Sequence, residues 1–109
     1  MINPVKCTFL IPQVDNDGRG LEDEIALLKS DLRMFFDGFT EAGVAQGQWI
    51  DRSGGGDGKL YVDTHHVFWI VTDECNLHLL ELVLKEFKAR TLQKEIYLEL
   101  NRSVEPRFI

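Results

Sequence analysis

The residues best equipped for chemistry sit close together in one run, Lys59 to Asp73 (KLYVDTHHVFWIVTD). Asp63 and His65 are two residues apart, so on a strand they project from the same face, whereas His66 projects from the other. A carboxylate and an imidazole side by side can share a proton or begin a metal site. Two imidazoles on opposite faces cannot ligate one ion, however, and the pair needs a further ligand from another element. Cys75 and His78 form a second set, brought to one side of a helix by their spacing of three. A closed zinc site takes four ligands, and the chain has no CxxC or HxxxH to complete one. Cys7 could meet His65 or His66 in space as a nucleophile with its base, but that chemistry also needs a third group to orient the base. Nothing in the local sequence marks either cysteine as activated. The simpler reading is that Asp63 and His65 form a hydrogen-bonded cross-strand pair and that both thiols are reduced and buried.

A third constellation is aromatic: Trp49, Tyr61, Trp69 and Tyr97. Tyr61 and Trp69 share a strand face with His65, and Tyr97 lies opposite the apolar set of its own strand. Such rings with a few polar neighbours suit a small-molecule or peptide surface. They are equally the residues enriched at interfaces between protein chains, and the interface reading is the one expected here.

Two loops imitate known sites and fail on position. Asp15-Asn16-Asp17-Gly18-Arg19-Gly20 resembles a calcium loop, but anchoring the pattern on Gly20 puts Arg19 at a ligand position and Ala26 where a glutamate is required. Ser53-Gly54-Gly55-Gly56-Asp57-Gly58-Lys59 resembles a phosphate-binding loop, yet Ser53 stands at the first glycine and Leu60 at the hydroxyl position. A β-patterned run follows it where a helix should begin, so a flexible hairpin loop is expected.

The elements that position these residues can be read in order. Val5 to Pro12 is apolar, β-rich and stopped by a proline, a first strand. From Leu21 the apolar residues Leu21, Ile25, Leu28, Leu32, Phe35 and Phe39 recur at threes and fours, one face of a helix. Glu22, Asp23 and Glu24 suit its positive end, and Gly38 and Gly43 bracket its close. Val44 to Arg52 alternates as a strand, with a bulge or close approach expected at Gly47. Lys59 to Asp73 is the central strand. Asp73 or Thr72 is positioned to cap a second helix, Glu74 to about Thr91, with Leu77, Leu80, Leu84 and Phe87 as its stripe. Leu79, Leu82 and Val83 widen that apolar arc beyond what one helix on one sheet requires. In the last strand, Glu95 to Asn101, the residues Ile96, Leu98 and Leu100 share a face opposite Glu95, Tyr97 and Glu99. A tail, Arg102 to Ile109, follows.

Strand, helix, strand, strand, helix, strand is the α+β, ferredoxin-like βαββαβ arrangement: a four-stranded antiparallel sheet with both helices on one face and the first and third strands central. The chain of 109 residues has the length of one such domain, residues 1–109. In the central strand Phe68 and Ile70 share one face, while Val67, Trp69 and Val71 share the other. One set packs under the helices. The other lies on the open face, and a bulky apolar patch there calls for a partner or ligand. A homodimer through the open sheet face is expected. The rival cover is the tail, folded over that face.

Composition narrows the partners. A formal net charge of -6 opposes binding to phosphate backbones, so nucleic acid is not expected. The basic residues Lys85, Lys88, Arg90 and Lys94 gather at a helix end, where cations complement the dipole. No apolar run approaches the roughly 18 residues of a membrane span. Met1 to Lys6 shows neither a basic region before an apolar stretch nor a cleavage site, so the expected location is cytoplasmic.

The segments Phe36-Asp37-Gly38-Phe39-Thr40, Gly47-Gln48-Trp49 and Phe87-Lys88-Ala89-Arg90 resemble those of a family of small bacterial proteins of unknown function. In that family a Phe-x-Asp-Gly-x-Thr-like segment precedes a Gly-Gln-Trp strand, and the second helix ends in a Tyr/Phe-Lys-x-Arg/Phe-like segment. The resemblance spans about Lys6 to Leu100. It implies a ferredoxin-like fold and supplies no active site. Many members look exported or lipid-anchored, which does not transfer to a chain without a visible signal or lipid-attachment cysteine near its start.

The sequence therefore leads to a small binding or regulatory module without a cofactor. It is expected to use Trp49, Tyr61, Asp63, His65, Trp69 and Tyr97 as its ligand or interface surface. The alternative is a small enzyme or metal-binding protein using Asp63, His65 and a cysteine.

Overall fold

A computed structural model describes residues 1–54 and 58–109. Strand β1 (Pro4–Pro12), helix α1 (Glu22–Phe36), strands β2 (Thr40–Asp51) and β3 (Lys59–Asp73), helix α2 (Leu77–Thr91) and strand β4 (Tyr97–Asn101) follow in order, with a single 3-10 turn (Glu74–Asn76) leading into α2. The four strands form one sheet in the order β2-β3-β1-β4, and every neighbouring pair is antiparallel. This is the ferredoxin-like arrangement, with β1 and β3 central.

Parity decides the core. Along β1 burial alternates, with Val5, Cys7, Phe9 and Ile11 inward. Cys7 pairs with Ile70 and Phe9 with Phe68, so the even-numbered positions of β3 share that inner face. They meet Ile25, Leu28 and Leu32 of α1 and Leu80, Val83, Leu84 and Phe87 of α2 in one cluster. Phe9 and Phe68 stack at 5.7 Å between ring centroids, and Phe39 meets the Phe68 ring edge-on at 5.6 Å. Offset and edge-to-face pairs of this kind add stability beyond their buried area.

Several local expectations are corrected. The α1 stripe closes on Phe36, which packs on the core, while Phe35 is half exposed; four residues from Leu32 continue the buried row more closely than three. Val83 belongs to the core, which leaves Leu82 as the exposed member of the wide α2 arc. Strand β2 begins four residues early, and its irregularity falls between Glu41 and Val44, where Gly43 takes a φ of +103°. Gly47 stays in register opposite Asp63. Asp73 makes no side-chain cap; its Oδ1 accepts the backbone N–H groups of Ile2 and Asn3 at 2.8 and 3.2 Å and ties down the start of the chain.

Of the expected hairpin loop, Gly55, Gly56 and Asp57 lie outside the described residues. Gly58 beside them takes a φ of +79°, and a Cβ there would come within 2.6 Å of the Ile50 Cγ2, so both backbone geometry and space require glycine. Beyond Pro12, which pairs with His65, the β2–β3 ribbon continues past the end of β1. The tail does not cover the open face with its apolar residues. Arg102 donates from Nε and Nη2 to the two Glu74 carboxylate oxygens at 2.9 and 2.8 Å, Val104 lies in a cleft with Ile2, Asn3 and Pro4, and Phe108 is 86% exposed.

Candidate functional site

All six candidate residues stand on the open face, because the core takes the opposite parity. Tyr61, Asp63, His65 and Trp69 are odd-numbered in β3. Trp49 pairs with Tyr61 from β2, and Tyr97 pairs with Leu10 from β4. The register sets them in rows across the sheet: Trp49–Tyr61, Gly47–Asp63, Ala45–His65–Pro12, Val67–Leu10–Tyr97 and Thr40–Trp69–Thr8–Glu99.

At the ribbon end, Trp49 and Tyr61 stack with centroids 4.6 Å apart and planes 16° from parallel. The indole Nε1 of Trp49 donates to Asp63 Oδ2 at 2.6 Å, a diagonal contact across the strand pair. Gly47, directly opposite Asp63, places no side chain there, and a Cβ added to it would meet nothing within 4 Å. Lys59 Nζ lies 5.1 Å from the Tyr61 ring centroid, completing a cation, phenol and indole layer. In the middle of the sheet Lys6 Nζ lies 4.7 Å from the centroid of Trp69, within cation–π range. At the far edge the Tyr97 hydroxyl donates to Glu99 Oε2 at 2.8 Å, which holds its proton above the usual phenol range.

The six residues form a surface across three strands, with the Trp49–Tyr61–Asp63 cluster at one end, Trp69 central and Tyr97 at the opposite edge. A cleft of about 450 Å³ opens between α2 and β4 and is lined in part by Tyr97, and another of about 330 Å³ opens beside the N-terminal segment.

The cysteines are not brought to Asp63 and His65. Cys7 is fully buried on the helix-side face, and burial pushes its thiol up to about 11; a nucleophile needs the opposite shift. Cys75 is exposed, contrary to the expectation of a buried thiol, because it falls in the 3-10 turn rather than on a helix stripe. Its Sγ lies 3.8 Å from Asn76 Oδ1. His66 faces the helix side, with its ring 6.3 Å from that of Phe68. Asp63 is engaged by Trp49 rather than in the expected pair with His65. Among the described residues no group of three His, Cys, Asp or Glu side chains is placed to hold a metal ion.

The open face also includes Lys6, Thr8, Leu10 and Val67, none of them among the six candidates, although the sequence already places Val67 on an apolar face of β3. The signal for the three on β1 was present: Lys6 and Thr8 interrupt the apolar run of β1 with period two, which assigns the even positions of that strand to the outer face.

No protein-family model matches the chain, and a search of curated proteins finds no significant relative. No helix among the described residues is long and apolar enough to cross a membrane.

Proposed function

We propose that the protein is a small binding or regulatory module that pairs with a second copy of itself through the open sheet face. The observation that supports this reading is the band of Leu10, Val67, Trp69 and Tyr97 across β1, β3 and β4, on the face that neither helix covers. Four strands spaced about 4.8 Å apart, taken over a length set by the 9 residues of β1 at about 3.3 Å each, give a plate of roughly 20 by 30 Å. A plate of that size, with its side chains in relief, is of the order of the ~800 Å² each partner contributes to a standard interface. An isologous contact uses the same patch twice, so the patch needs only to complement itself. Trp69 and Tyr97 supply the aromatic area typical of interface centres, while Lys6, Asp63 and Glu99 provide a polar rim. The module acts without a cofactor in this reading.

Native mass spectrometry of untagged protein, purified without added metal, tests it. The expected result is a dimer mass. A monomer carrying an additional bound mass would make the face a ligand surface, and a bare monomer at working concentration would remove the argument altogether.

A further inference from the structure

A second surface on the molecule has the form of a strand-binding groove. Among the described residues strand β4 pairs with β1 alone, which leaves the backbone groups of its outer edge without a strand partner there. The other edge strand, β2, is interrupted by the Glu41–Val44 bulge, a feature that blunts an edge against pairing. Between the β4 edge and α2 runs the groove of about 450 Å³, floored by Leu84, Ile96 and Leu98 and flanked by Lys85 and Lys88. Neither lysine is within salt-bridge reach of a carboxylate among the described residues, whereas Arg90 on the same helix pairs with Glu86. An exposed edge beside an apolar groove is the geometry that accepts an added strand: backbone hydrogen bonds supply affinity, and alternate side chains enter the groove.

The tail is a segment of matching chemistry. Residues 102–109 have no helix or strand, Phe108 is 86% exposed, and Glu105 and Arg107 offer charges opposite to Lys85 and Lys88 and to Glu81 and Glu95 at the groove. The contact between Glu105 and Arg107 is itself highly exposed, so little is lost in exchanging it. Pro106 removes one donor, which an edge strand tolerates. The tail of the same chain is led elsewhere: the Arg102–Glu74 bridge and the seating of Val104 beside Ile2, Asn3 and Pro4 carry it toward the start of β1, away from the outer edge of β4. We propose that the groove between α2 and β4 binds the tail segment Glu105 to Ile109 of a second copy of this chain as an added edge strand, with Phe108 as its apolar anchor. This contact meets the open face at Tyr97 but does not depend on pairing through that face.

The test uses a fluorescein-labelled peptide of sequence SVEPRFI and, as receptor, the full chain carrying Phe108→Asp, which removes the anchor from its own tail. Saturable binding is expected in fluorescence anisotropy, with amide shifts of Ile96 and Leu98 in NMR spectra and weakening as salt is added. A peptide with Phe108→Asp should bind at least about tenfold more weakly, the loss expected from leaving a phenyl ring unburied. Lys85→Glu with Lys88→Glu in the receptor, its fold checked by circular dichroism, should weaken binding about fivefold or more. No saturable binding at about millimolar peptide, or binding that the double lysine variant leaves unchanged, overturns the proposal. Binding lost on Trp69→Ala, with the lysines indifferent, also overturns it by moving the peptide to the open face. Failure here leaves the dimer reading intact, since that is judged by the mass of the unliganded protein.

Discussion

Trp69→Ala is the substitution that weighs most on the open-face reading. Trp69 sits at the middle of that face, between Thr8 of β1 and Thr40 of β2, with the Lys6 ammonium 4.7 Å from its ring centroid. Within one chain its removal forfeits that cation–π contact, worth about 0.5–1 kcal/mol at an exposed site, and some contact with flanking side chains. The total is about 1 kcal/mol, well inside the ~5–15 kcal/mol by which ordinary domains are stable. The variant should therefore fold. Across a two-fold interface the same ring is lost twice. At about 2 kcal/mol for each truncated central tryptophan, the dimer loses about 4 kcal/mol, roughly a thousandfold in its dissociation constant. Sedimentation velocity over about three decades of protein concentration reads that shift directly, with thermal unfolding by circular dichroism run alongside. Leu82→Ala, on the exposed outer side of α2, serves as the control and should leave association unchanged. An unaltered association curve for folded Trp69→Ala would refute the reasoning, as would an equal loss from Leu82→Ala.

Three further outcomes follow from the interior. Iodoacetamide applied to the native protein should modify Cys75 alone, giving one adduct by mass and a second only after unfolding, because Cys7 is fully buried. The same thiol makes stability fall as pH rises from about 9, where the unfolded chain releases this proton, to about 11, where the folded chain does; below 9 the contribution is complete. A urea midpoint indifferent to pH across that window in the wild type, relative to Cys7→Ala, would refute the assignment. Phe68→Ala should cost about 3–5 kcal/mol by urea unfolding, since it removes a fully buried ring stacked on Phe9 and met edge-on by Phe39 and leaves a cavity. A loss below about 1 kcal/mol would mean that the core is packed differently.

Much of this architecture was legible because periodicity is a local property. The β3 boundaries, the odd and even sets along it and the two central strands all follow from apolar spacing and element order. Elements decided by tertiary contacts read less well. Asp73 looks like a helix cap, but the nearby N-terminal backbone offers its carboxylate two N–H groups. Gly47 looks like a bulge, but it pairs in register with Asp63, and the irregularity of the strand falls between Glu41 and Val44. Lys85 and Lys88 read as complements to a helix dipole, and the edge strand beside them gives them a groove to flank.

By itself the sequence determined the order of elements, the parity of each strand and the fact that β3 is apolar on both sides. It left open which side the helices would take. That choice belongs to the tertiary structure. The helices can cover only one face of the sheet, and the cross-strand register aligns Val5, Cys7, Phe9 and Ile11 of β1 with the even positions of β3, making one continuous apolar plate beneath them. Trp69 and its odd-numbered neighbours are thereby left outside, together with Trp49, Tyr61, Asp63, His65 and Tyr97. No local pattern contains that information, because it arises from residues some sixty positions apart meeting across a strand pair.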